Sequence, residues 1–137
     1  MYKINDFKSK MGQQLESEVL EHILNNFFLS SHSIEKLDVR SNLLVRYKDG
    51  NVNKKLTKAN IINDIRQNIV LAYYNTDGSV NIAVSEYNYY VFEYQDENAS
   101  EYVVDKWRLV TYKEPSWYGI NIFDKQQMAK DGYDRKY

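Results

Sequence analysis

Residues 80–94 read VNIAVSEYNYYVFEY, and the periodicity of this stretch decides what kind of fold the chain adopts. Val80, Ile82, Val84, Tyr90, Phe92 and Tyr94 fall on one parity, the two-residue period of a strand with one face buried, and the composition is of the β-branched and aromatic kind that fits a pleated surface. One long strand over 80–94 is expected. Glu86 and Asn88 share that parity, so an acid and an amide interrupt an apolar face. Two arrangements satisfy this pattern. If the register holds, Glu86 sits inside the concave sheet, where desolvation raises its pKa toward the range of a general acid or base. If a β-bulge near Glu86 flips the register, Glu86 and Asn88 go to water while Tyr87 and Tyr89 turn inward.

The flanking segments extend the same grammar. Residues 68–75 form a strand that meets Thr76-Asp77-Gly78-Ser79, where Asp-Gly supplies the positive φ of a tight hairpin. After the polar turn Gln95 to Ser100 a third strand covers 101–113, Glu114-Pro115 breaks the pattern, and a fourth covers 116–123. A polar tail, 124–137, closes the chain. Asp105 shares its parity with Val103, Trp107 and Leu109, which makes it a candidate neighbour of Glu86; two such carboxylates share a proton and divide acid and base roles.

Before residue 68 the period changes. Ile4, Phe7, Met11, Leu15, Val19, Ile23 and Phe27 recur every three or four positions, with Leu20, Leu24 and Phe28 widening the stripe. This predicts one amphipathic helix over about 5–28, capped by Asn5 or Asp6, weakest at Gly12 and closed by Ser30, Ser31 and Ser33. Ser33 then caps a second candidate, 34–48, through Ile34, Leu37, Leu44 and Tyr47 to the stop Asp49-Gly50, although Leu43-Leu44-Val45 also reads as a short extended run. A helix over 58–66 follows, with Thr57 as its cap and Ile61, Ile62 and Ile65 as its buried side.

Helices first and strands second predict an α+β fold, with N-terminal helices packed on a curved four-stranded antiparallel sheet, an α+β roll. At 137 residues one domain, 1–137, is expected. The absence of cysteine removes disulfides and thiolate metal sites and fits a cytoplasmic home. No apolar run approaches the ~18 residues of a membrane span, and Met1 to Lys10 lacks the apolar core of a secretion signal.

His22 and His32 have no partner at metal-ligand spacing and read as surface residues, His22 at the edge of the helical stripe; neither metal nor cofactor is expected. The sequence lacks Gly-x-Ser-x-Gly, and its five glycines do not cluster into a phosphate loop, which removes the hydrolase and nucleotide-binding readings. Eighteen Lys and Arg against nineteen Asp and Glu argue against nucleic acid as a partner. A lean toward Lys, Asn, Ile and Tyr points to an AT-rich genome, a low-GC bacterium or its phage and mobile elements.

The order of elements over residues 11–123, with 101–110 reading EYVVDKWRLV and 116–122 reading SWYGINI, resembles the cystatin-like cone superfamily of nuclear-transport-factor-like, ketosteroid-isomerase-like and SnoaL-like domains and the anchor of the mitochondrial import motor. Trp107 late in one strand and Trp117 early in the next carry the resemblance. It implies a fold shared by enzymes, ligand binders and scaffolds, so function must come from a site.

Thirteen tyrosines, most of them on the expected strands, supply large contact area at low entropic cost, and many are expected on the sheet surface. Tyr87, Tyr89, Tyr90, Asn88, Trp107 and Trp117 are the candidate binding residues. The first reading is a non-catalytic protein-binding module of a bacterial or mobile-element system, an inhibitor, an immunity or anti-defence factor or a secretion accessory, docking on another protein or on its own copy as a homodimer. The alternative is a small-molecule pocket in the cone, binding only or performing isomerase- or dehydratase-like proton transfer through Glu86 and Asp105. That pocket requires a hollow which Phe27, Trp107 and Tyr90 do not fill.

Overall fold

A computed structural model describes residues 2–75, 77–85, 88–95 and 106–113. Among them the order is α1 (Ile4–Lys8), α2 (Ser17–Asn25), β1 (Phe27–Leu29), α3 (Ser31–Arg40), α4 (Lys54–Asn68), β2 (Leu71–Tyr74), β3 (Val80–Ala83), β4 (Tyr89–Tyr94) and β5 (Trp107–Lys113). The chain is α+β, as its two periodicities require. The sheet differs from the expected four antiparallel strands. It has five, in the order β1-β5-β4-β3-β2, with β2 to β5 an antiparallel meander and β1 added parallel to β5.

The single helix expected over 5–28 is divided. The chain leaves α1 at Lys8, turns at Gly12 with φ 80°, and lays the next residues along the outer edge of β2. There Gly12 and Leu15 donate backbone hydrogen bonds to Tyr74 and Ala72 at 2.9 and 3.0 Å, and Tyr74 donates to Gln13 at 3.0 Å. This covers an edge that would otherwise expose its donors and acceptors. The apolar stripe still packs as one set, because Phe7, Leu15, Val19, Ile23 and Phe27 are all buried; Met11, at the break, is 56% exposed. Phe27 to Leu29, read as the helix end, pair with Trp107 to Leu109 instead.

α3 begins earlier than expected and stops sooner. Its cap is Ser30, whose Oγ accepts from the Ser33 N–H at 3.0 Å and donates to the Leu109 carbonyl at 2.8 Å, while Ser33 is buried inside the helix. Leu44 and Tyr47 lie beyond it, in a segment that turns back on itself through an Arg46–Val52 bridge with Gly50 at φ 88°. The helix reading of 34–48 is thus met only as far as Arg40, and Leu43 to Val45, its extended alternative, form no strand. α4 is capped by Asn53, not by Thr57. Thr57 is buried within it, and its hydroxyl accepts the Val45 N–H at 3.0 Å.

The strand expected over 80–94 is two strands. β3 pairs with β4 through Val80–Phe92, Asn81–Val91, Ile82–Tyr90 and Ala83–Tyr89, and residues 84–88 connect them. The parity assigned to the apolar residues survives the reversal, because even-numbered residues pair with even-numbered ones. Val80, Ile82, Tyr90, Phe92 and Tyr94 all face the main core, with Val84 packed at its margin. Asn88 consequently lies between the two strands and not in the middle of one. The bulge anticipated near Glu86 falls on residues outside those described; β5 carries one of its own, where Val91 pairs with Thr111 and Phe92 with Leu109, leaving Val110 as the extra residue. The expected strand 116–123, the tail 124–137 and residues 101–105 lie outside the described residues.

All four helices contribute to one core against one sheet face, built from Phe7, Ile23, Leu37, Ile61 and Ile65 on the helices and Tyr74, Ile82, Tyr90, Phe92 and Trp107 on the strands. Each such fully buried apolar side chain is worth about 1.5–3 kcal/mol relative to exposure. Phe7 is the aromatic hub, with ring centroids 5.0 Å from Trp107, 5.4 Å from Tyr94 and 5.8 Å from Tyr74. The opposite sheet face carries a smaller cluster of Leu71, Tyr73, Ala83 and Tyr89, with Val91 packed on it.

Candidate functional site

Among the described residues, the strand tyrosines are inside the protein and not on its surface. Tyr73, Tyr74, Tyr89, Tyr90, Tyr94 and Tyr112 are all 9% exposed or less. Their rings fill the two faces of the sheet, and several hydroxyls end at a polar partner near the rim, the usual arrangement for a buried phenol. Tyr90 donates to Asp64 at 2.5 Å, Tyr74 donates to Glu16, and Tyr112 accepts from the Asn88 amide. Burial first, and the Asp64 bond second, push the Tyr90 hydroxyl far above the ordinary phenol range. Burial alone would raise Glu16, but the bonds from Tyr74 and Lys10 outweigh it and hold its carboxyl below 4.5.

The candidate binding residues are therefore dispersed. Tyr90 belongs to the main core and Tyr89 to the smaller cluster on the other face. Trp107 is fully buried, and its Nε1 donates to His22 Nδ1 at 2.9 Å. His22 is thus half-buried, at the boundary of the packed stripe where it was expected, and His32 is exposed as expected. Asn88 is half-buried and tied to Ser85 and Tyr112. Glu86, Asp105, Tyr87 and Trp117 lie outside the described residues. Phe27, Trp107 and Tyr90, at 2%, 0% and 0% exposure, fill the space where the cone pocket was expected.

Charge and exposed apolar surface concentrate elsewhere. Residues 36–58 carry seven cations against two acids, +5 in a chain of net charge −1, so the remainder carries −6. These residues form one local structure. Arg46 pairs with Asp38 at 3.3 Å, the Asn53 N–H donates to the Val45 carbonyl at 2.7 Å, and the Asn60 amide reaches Leu43 at 3.0 Å. Val39, Tyr47 and Leu56, exposed by 70%, 56% and 49%, are three of the four large apolar side chains exposed among the described residues.

The cations here are not balanced locally. The first turn of α4 holds Lys54 and Lys55 and no acid, so like charge sits at the positive end of the helix dipole. Neither lysine, nor Lys48, makes an ion pair with a described residue. The half-buried Lys58 lies with Nζ 5.1 Å from the centroid of the Phe27 ring, and burial first, then Lys106, hold its ammonium below the ordinary lysine value. Whole-chain neutrality hid this patch; a charge count over a sliding window finds it.

A second feature lies on the sheet face away from the helices. A groove of about 410 Å³ is bounded by Asn75, Asp77, Ser79 and Asn81 on one side and by Tyr89, Val91, Glu93, Thr111 and Lys113 along its floor, with Val110 beside them. The bulge at Val110 creates it, because the shift in register aims Thr111 and Lys113 at this face and Tyr112 at the core. Asn75 and Asn81 exchange amide hydrogen bonds at 2.8 and 3.1 Å, and Asn81 also donates to Tyr73 at 2.9 Å. Asp77 Oδ1 accepts from the Ser79 N–H and hydroxyl at 2.9 and 2.5 Å, and the hydroxyl bond above all keeps its carboxyl below the usual range.

Among the described residues no group of three or more His, Cys, Asp or Glu could hold a metal ion, and no helix is long and apolar enough to cross a membrane. No family model, curated protein or solved structure matches the chain.

Proposed function

We propose that this chain is a non-catalytic protein-binding module that docks through the surface of residues 36–58. One observation carries the reading: a net +5 and, among the described residues, three of the four exposed large apolar side chains coincide in one local structure, within a chain of net charge −1. Unpaired cations at the positive end of a helix cost stability, and a partner that supplies acids offsets that cost. The exposed aliphatics Val39 and Leu56, with Tyr47, favour a protein over a nucleic acid, because they gain most from an apolar core ringed by charge. The lean toward Lys, Asn, Ile and Tyr supports a bacterial or mobile-element setting, in which inhibitors, immunity or anti-defence factors and secretion accessories are partners of this kind. A second copy is one such partner, since the rest of the chain is acidic.

The test places a photo-crosslinking residue at Tyr47 in the native host, with the same residue at Glu18, exposed on α2, as the control. A stoichiometric protein adduct at Tyr47, absent at Glu18 and lost in Lys54→Glu/Lys55→Glu, supports the proposal, whether the adduct is another protein or a second copy. Adducts with nucleic acid alone, or none, overturn it.

A further inference from the structure

The groove on the far sheet face has properties that docking through residues 36–58 does not use. Thr111 is 4% exposed, lines the groove, and makes no side-chain hydrogen bond. Its hydroxyl therefore opens onto the groove with no protein partner, a polar group left for a ligand or water to meet. It sits in a row with Asn81 and Val91 across three strands, since Asn81 pairs with Val91 and Val91 with Thr111.

The two ends of the floor differ in sign. At one end are Asp77, whose bonds to Ser79 use Oδ1 and leave Oδ2, and Glu93, whose Oε2 accepts from the Arg108 guanidinium at 3.2 Å and leaves Oε1. At the other is Lys113, paired in register with Tyr89 and making no ion pair with a described residue. Glu93 and Tyr89 are four residues apart on β4, roughly 13 Å of strand. The span between the charged ends is that of about three extended residues plus two ion-pair contacts. A volume of about 410 Å³ is that of a small-ligand site.

We propose that this groove binds a free short peptide of about three residues, its ammonium held by Asp77 and Glu93, its carboxylate by Lys113, and its backbone hydrogen-bonded to Thr111. Both ionised termini are required, because each charged end of the groove answers one of them. The apolar middle, Val91 and Val110, tolerates small side chains and selects none strongly.

Calorimetry with the full chain and trialanine tests the proposal against N-acetyl-trialanine and trialanine amide. Trialanine is expected to bind, and each capped form to bind about tenfold more weakly. Asp77→Asn/Glu93→Gln is expected to erase the penalty of the acetyl cap alone, and Lys113→Met that of the amide cap alone. Thr111→Val is expected to leave the melting temperature undiminished while weakening all three peptides, the split that separates a ligand contact from a structural hydroxyl. If a variant fails to fold, the capped peptides on the unaltered chain decide by themselves. No binding of trialanine overturns the proposal. So does binding of both capped forms as tight as that of trialanine, which marks the groove as a reader of internal chain segments, and so does unchanged binding in Thr111→Val.

Discussion

Tyr90, Tyr74 and Tyr112 give the tyrosine content a structural explanation: each ring fills the core and each hydroxyl meets a polar partner at its margin. Tyr90→Phe is accordingly expected to lower stability by about 1.5–3 kcal/mol, the range for a bond to a charged acceptor, as read from the midpoint of urea unfolding. Glu16 gives a test with a sign. Its carboxyl lies below 4.5 in the folded chain, so its contribution is fully present above 4.5 and is lost as pH falls through the folded value. Glu16→Gln should therefore be less stable than the natural chain at neutral pH and converge with it in acid, and a difference that persists at low pH would contradict this. Which residues were buried was legible from periodicity. Where their polar atoms went was not, since the Asp64, Glu16 and His22 partners come from helices whose docking no local pattern specifies.

The meander shows why the strand boundaries were harder to read than the buried face. Residues 84–88 form a connection of odd length, so β3 and β4 present the same parity as one unbroken strand would. A period of two cannot tell these apart, and Ser85 to Asn88 offers no Gly-Gly or Asn-Gly signal to mark the reversal. The same holds for the leading stripe. Phe7, Leu15, Val19, Ile23 and Phe27 are buried as a helical repeat predicts, yet a turn at Gly12 and a strand at Phe27 to Leu29 divide them. The bulge in β5 is the element on which the groove rests. Deleting Val110 moves Thr111 and Lys113 off the far face and Tyr112 out of the core, and is expected to abolish cooperative unfolding, whereas Val110→Ala is expected to cost under about 1.5 kcal/mol. Thermal melts followed by circular dichroism distinguish the two; a deletion variant that melts like the natural chain would remove the bulge from this role.

Helices and strands share one core, so the described residues should unfold together. Ile61, fully buried on α4, is the probe: Ile61→Ala is expected to cost about 2–5 kcal/mol. In a Trp117→Phe background Trp107 is the remaining tryptophan, so its fluorescence reports the sheet while far-ultraviolet dichroism reports the helices. The two transitions should coincide before and after the Ile61 change, and separate midpoints would divide the core.

The parallel seam between Phe27 and Trp107 sets a schedule for the newborn chain. Its halves are eighty positions apart in the polypeptide, so at ~5–20 residues per second the ribosome delivers the second roughly 4–16 s after the first. Through that interval the triplet Phe27-Phe28-Leu29 has no strand to join, which makes it a natural handhold for chaperones and the segment most prone to aggregate if synthesis stalls.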